Sequence, residues 1–267
     1  TDIDPAYPEW QPVSTPPGVL AGPATDRLAE DLEDFAKMVG LGGASNNWAI
    51  APSFTATGRP ILACDPHLAP LLPSQWYLAH LRTPDWTVAG ATFVGMPAFP
   101  YGYNGFAAWG STAGLADNSD LFIEEVDLNN RSIREGDKFV HCDTRREEIY
   151  VKGKGEIVED VMITPRGPII SPSLEGEVGA ISLRAMWLDP LPVKGFLTAH
   201  RAKSLEEFRR AFEEWPHISL NLAYADSTGT IAYQLVGQLP LRRKGWGTIP
   251  MAGWDPDTGW EETFVPF

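Results

Sequence analysis

The sequence predicts an α+β fold on three observations: short apolar or alternating runs divided by turn residues along most of its length, only two stretches with helical spacing, and a hairpin signal at Asp226-Ser227-Thr228-Gly229. Thr1 to about Pro23 is rich in proline, so it reads as an extended lead-in. From Thr25 to Val39, Leu28, Leu32, Phe35 and Val39 mark one face of a helix, with Thr25 to cap it and Gly40 to end it. Gly42 and Gly43 follow as a mobile link. Trp48 to Pro52 and Ile61 to Cys64 are apolar runs around the turn Thr57-Gly58-Arg59-Pro60, which is a buried β-hairpin. Trp76 to Leu81 and Trp86 to Val94 read as strands, Gly95 to Gly105 as a loop leading to Phe106 to Gly110, and Gly110-Ser111-Thr112-Ala113-Gly114 as a small-residue turn. Leu121 to about Pro172 alternates in polarity and is broken by glycine, which predicts an antiparallel subdomain with one wet face, extending over about 121–180. Ser204-Leu205-Glu206-Glu207 is a capping box opening a helix with Phe208, Phe212 and Trp215 on its inner side.

Composition narrows the function classes. At 267 residues and 43% hydrophobic the chain can bury a substantial core, as one large domain or two small ones. A formal charge of −14 argues against sequence-independent nucleic-acid binding, which needs clustered Lys and Arg, and against anionic membrane surfaces. Cys64 and Cys142 are too few for a disulfide framework and have no metal-ligand spacing, although one pairing stays open. No stretch is long and apolar enough for a membrane span, and the first residues lack the order of a signal peptide. The termini suggest a piece of a longer protein.

The chemistry centres on Ser45, which follows the small-residue run Gly42-Gly43-Ala44 and precedes an apolar strand. Cleavage of the Ala44–Ser45 bond would leave a hydroxyl nucleophile and a free α-amine, a built-in general base, on one residue. Taken alone, such a serine reads as a cap in a glycine-rich loop. Ser45-Asn46-Asn47-Trp48, Asp65-Pro66-His67, Tyr103-Asn104-Gly105, Trp109 to Gly114, Asp117 with Asp120, Thr164 to Ile170, and Asn221 with Tyr224-Ala225-Asp226 change that reading. In this order and at these separations, from Gly42 to about Pro250, the chain resembles the penicillin acylase family of N-terminal-nucleophile hydrolases, which includes cephalosporin and N-acyl homoserine lactone acylases. Ala44 departs from the glycine common before the nucleophile in that family.

The resemblance implies an αββα sandwich, incomplete in this chain, and a division into 1–44, the end of the α-chain with a spacer, and 45–267, the first part of the catalytic β-chain. It implies an amidohydrolase that cuts itself between Ala44 and Ser45 and then hydrolyses a linear amide through an acyl-Ser45 ester, with no catalytic cofactor. By resemblance the oxyanion donors are the Ala113 N–H and the Asn221 carboxamide. Asn221 interrupts an apolar strand, so satisfaction by neighbouring backbone is the competing reading. His67 would orient Ser45, and Arg242 would support Asn221 and the amine. The competing readings are a turn histidine and a surface arginine. Leu68 and Tyr101, with Phe99 and Trp109 nearby, would line an acyl pocket, although such side chains are core in most folds. Asp117, the Ser119 carbonyl and Asp120 resemble a structural calcium site. The implied partners are a small amide substrate and the missing α-chain and remaining β-chain of the precursor, with no nucleic acid and no membrane. The implied location is periplasmic or secreted. Two rival readings are a dead or unprocessed piece of such an acylase and a β-rich carbohydrate-binding module, the latter suggested by 10 Trp and an acidic surface.

Overall fold

A computed structural model describes Glu30, Glu33 and residues 43–267, apart from 69, 97, 172–179, 190–193, 216–217, 246 and 248. Glu30 and Glu33 are helical, and the rest of the helix expected over 25–39, like the lead-in, lies outside the described residues. The strands in chain order are β1 Gly43–Ile50, β2 Ile61–Leu68, β3 Trp76–Arg82, β4 Thr87–Phe93, β5 Tyr101–Tyr103, β6 Ala107–Ala113, β7 Ser119–Glu124, β8 Val126–Asp127, β9 Ser132–Glu135 and β10 Lys138–His141. They continue as β11 Asp143–Val151, β12 Gly155–Thr164, β13 Gly167–Pro168, β14 Ala180–Ala185, β15 Leu220–Asp226, β16 Ile231–Val236, β17 Pro240–Arg242, β18 Met251–Ala252 and β19 Trp260–Phe264. The helices α1 Phe196–Ala199 and α2 Leu205–Phe212 stand between β14 and β15. The chain divides into two compact units, one of Ala36–Asn118, Asp189–Leu239 and Val265–Phe267, the other containing Ser119–Leu188 and Pro240–Phe264.

The first unit is layered. Its six-stranded antiparallel sheet runs β16-β15-β6-β5-β4-β3. Strand side chains alternate between faces, so Trp109, Leu222 and Tyr224 fall together on one face, where they pack with Phe196, Phe208, Phe212 and Trp215. The helix supplying Phe208 and Phe212 starts as its sequence predicts: the Ser204 hydroxyl accepts from the Glu207 N–H at 3.1 Å. The Glu207 carboxylate reaches back to the Lys203 N–H at 2.7 Å. The opposite face of the sheet carries the β1–β2 hairpin. Asn47 sits there with its Nδ2 donating to the carbonyls of Gly110, at 3.1 Å, and Asn221, at 3.0 Å. A Cβ added at Gly110 would overlap the Cys64 sulfur, so the glycine is what lets β2 lie down on β6. Two stretches expected as loops are strand: Tyr101–Tyr103 is β5, and β6 continues through Gly110 to Ala113. Pairing with β4 on one side and β15 on the other recruits these glycine-rich residues into the ladder.

In the second unit, β14 and β18 flank β7, the β18 pairing being parallel. Three further small antiparallel sheets are β10-β9-β8, β11-β12-β13 and β17-β19. Buried Asp120, Phe122 and Glu124 alternate along β7 and so share a face. Each carboxylate meets an arginine: Arg166 forks onto Glu124 at 2.8 and 2.7 Å, and Arg242 onto Asp120 at 2.9 to 3.1 Å.

Candidate active site

Ser45 lies in β1 opposite Pro66. Proline has no N–H, so the Ser45 carbonyl receives no ladder bond from its partner. The pleat puts Ser45 on the same face as Asn47, the face turned toward the six-stranded sheet, about 6.6 to 6.8 Å further along the strand. That sheet carries the two expected oxyanion donors as cross-strand neighbours, because Leu220 pairs with Ala113 and Asn221 with Thr112. The Asn221 carboxamide nitrogen donates to the Ala113 carbonyl at 2.9 Å and to the Thr112 hydroxyl at 3.2 Å. Its oxygen accepts from the Tyr233 hydroxyl at 2.7 Å. The Gly114 N–H goes to the Ser219 carbonyl at 2.7 Å, so strand alternation turns the preceding N–H, that of Ala113, away from β15. Ala113 is exposed. Ser45, Ala113 and Asn221 are thus brought into one layer boundary of one unit.

Other expected site residues are placed differently. His67 pairs with Ala44, not Ser45, so its imidazole is on the outward face of the hairpin, where Nε2 meets the Asp65 carboxylate at 2.8 Å. The period of two along β2 is the reason: the residue facing the sheet at this point is Pro66. The Arg242 guanidinium pairs with the buried Asp120 carboxylate at 2.9 Å. Trp109 and Phe99 are 1% and 4% exposed in the core under α2, with the Trp109 indole donating to the Phe99 carbonyl at 2.8 Å. They sit on the helix side of the sheet and line no pocket near Ser45. Leu68 and Tyr101 do lie on the hairpin side. Leu68 shares a face with Pro66, and the Tyr101 ring packs beside Gly110 and against Trp76 at 4.9 Å. Burial pushes the Tyr101 phenol up, opposed by a hydrogen bond with Ser111 and reinforced by Cys64. Burial likewise pushes the Cys64 thiol up to about 11, which keeps it neutral and inert at pH 7.

Asp120, the buried carboxylate of the expected calcium set, is already engaged by other side chains. Both of its oxygens accept from Arg242, and Oδ2 also accepts from the Trp260 indole at 2.6 Å. A buried carboxylate already neutralised by a guanidinium is a poor ligand for a dication. Asp117 is exposed. Among the described residues no group of three or more His, Cys, Asp and Glu could hold a metal ion.

Sequence reasoning assigned no role to Asn47, Thr112 or Tyr233. Asn47 stands in the Ser-Asn-Asn-Trp string, and Thr112 beside Ala113, so both carried a signal. Tyr233 carried none, since only the β15–β16 register brings a residue 12 positions downstream against Asn221.

A layered α-β-β unit, with a serine on the sheet-facing side of the outer hairpin, is the arrangement of an N-terminal-nucleophile hydrolase fold. The solved structure of the thermostable penicillin G acylase from Alcaligenes faecalis is similar, with a TM-score of 0.75 and 25% identity over 83% of this chain and 40% of that one. The penicillin amidase family profile matches residues 3–267, and the chain belongs to that family. Relatives include acyl-homoserine lactone acylase QuiP of Pseudomonas aeruginosa, 34% identical over 84% of this chain and 28% of the relative. QuiP of Pseudomonas fluorescens Pf-5 is 32% identical over 91% and 30%. The penicillin acylase 2 proenzyme of Pseudomonas sp. SE83 is 33% identical over 92% and 33%. The chain spans about a third of the length of these relatives.

Proposed function

We propose that the protein to which this chain belongs is an amidohydrolase that matures by breaking the Ala44–Ser45 bond and then cleaves an N-acyl group from a homoserine lactone, a β-lactam or a related amine. The observation that carries the reading is the seat of Ser45 on the sheet-facing side of β1, a strand tied by Asn47 to the backbone of Asn221 itself. In maturation the Ser45 hydroxyl attacks the Ala44 carbonyl carbon, the peptide nitrogen leaves as an amine, and water hydrolyses the resulting ester. The freed α-amine, with an ordinary pKa of about 7.7 to 8.0, takes the hydroxyl proton in the next attack. The substrate carbonyl oxygen becomes an oxyanion stabilised by the Ala113 N–H and by an Asn221 N–H released from Thr112 or Ala113. The tetrahedral adduct collapses, the substrate nitrogen leaves with a proton, and water then cleaves acyl-Ser45 to the free acid. The remainder of the precursor is the expected partner, and a periplasmic or secreted location belongs to the same proposal. Among the described residues no helix is long and apolar enough to cross a membrane.

The test is the intact mass of the full-length product with activity on a panel of N-acyl homoserine lactones and penicillins. Two masses meeting at Ala44 and Ser45, and loss of both cutting and turnover in Ser45→Ala, are expected. A single mass, or full turnover by Ser45→Ala, overturns the reading.

A further inference from the structure

The geometry points to Tyr233 as a positioning residue that fixes the orientation of the Asn221 carboxamide, the task the resemblance would give to Arg242. This rests on the acylase reading above. An asparagine amide can sit in either of two orientations related by a half-turn, and only one presents N–H to a developing oxyanion. Two contacts select it. The Tyr233 hydroxyl donates to Oδ1 at 2.7 Å, while Nδ2 donates to the Ala113 carbonyl at 2.9 Å. A half-turn would set the amide oxygen against the Ala113 carbonyl oxygen and waste the phenol's donor. The pairing of β15 with β16 sets this up, since Ala223 lies opposite Tyr233 and Asn221 two residues along the same face.

The contact also bears on the donor count. Both Asn221 N–H bonds are in use, and the 3.2 Å bond to the Thr112 hydroxyl is the longer. With Oδ1 held by Tyr233, the carboxamide can release Thr112 to an oxyanion without losing its orientation. Tyr233 keeps 66% of its surface exposed, so deleting its hydroxyl removes little packing.

The experiment is a double-mutant cycle in the full-length protein, using whichever amide of the panel the wild type hydrolyses, with thermal unfolding to confirm that each variant is folded. Tyr233→Phe is expected to lower kcat about five- to tenfold with KM within about twofold, the loss of one hydrogen bond felt mainly in the transition state. In an Asn221→Ala background, itself about 10²- to 10³-fold slower, the same change is expected to cost nothing further. Equal losses in both backgrounds, or no loss in either, would overturn the assignment while leaving Asn221 in place. An Asn221→Ala variant with wild-type kcat would instead bring down the acylase site and this inference together.

Discussion

Asp226 shows how much one side chain at a strand end can organise. Its Oδ1 accepts from the N–H groups of Thr228 and Thr230, at 2.9 and 3.1 Å, and from the Thr228 hydroxyl, while Oδ2 accepts from buried Tyr224 at 3.1 Å. Burial pushes the carboxyl up, but these bonds outweigh it, led by the Thr228 hydroxyl, and leave the pKa below the usual carboxylate value. A folded pKa lowered in this way stabilises the native state fully above the unfolded value, near 3.9, and the contribution disappears as pH falls through the depressed one. Asp226→Asn is therefore expected to lower stability at pH 7 by about 1 to 3 kcal/mol and to flatten the acid limb below about pH 4. Urea unfolding at several pH values reads both effects. An unchanged acid limb would mean that the carboxylate is equally stabilised in the unfolded chain.

At the scale of elements, the hairpin β1–β2 must lie flat on β6 for Ser45 to face Asn221, and Gly110 is the position that permits it. Alanine there would drive its methyl into the Cys64 sulfur and up against the Cys64 Cβ. Gly110→Ala is expected to cost about 1 to 3 kcal/mol as overpacking and to slow cutting at Ala44, with Cys64→Ala restoring part of both. Stability and the time course of mass change in the single and double variants measure this, and an additive double variant would show that the two residues do not meet. The elements themselves were largely legible. The capping box and the Asp226–Gly229 turn stand in the structure because each rests on contacts within a few residues. The runs around residues 57–60 do pair, but the hairpin expected as buried leaves Trp48 and Ile61 exposed because only one of its faces lies on the sheet. Tyr101–Tyr103 and Gly110–Ala113 were not, since glycine-rich segments join a sheet only when neighbours from far along the chain provide the ladder.

For the whole molecule, the same distinction applies to the expected site. The resemblance names Ser45, Ala113 and Asn221, but which face each neighbour takes depends on register, which puts His67 on the outward face of the hairpin and Trp109 on the helix side of the sheet. The two units also cohere differently. The first packs a continuous aromatic and aliphatic cluster, whereas β7 in the second carries two buried carboxylates beside Phe122. Glu124 has no exposed surface, and it is held by Arg166 and by the Ser182 hydroxyl at 2.6 Å. The Arg166 guanidinium also reaches Glu135 at 2.7 Å and lies over the Phe122 ring at 5.7 Å. Removing the arginine alone strands a buried charge, which costs about 3 to 5 kcal/mol, whereas replacing both partners by apolar residues of similar volume is often close to neutral. Arg166→Ala is thus expected to raise hydrogen exchange in β7 and β14 by more than two orders of magnitude, and Arg166→Met with Glu124→Leu to return most of that protection. If the double variant exchanges as fast as the single one, the buried pair is holding the register of β14 on β7 and is not merely neutralising Glu124.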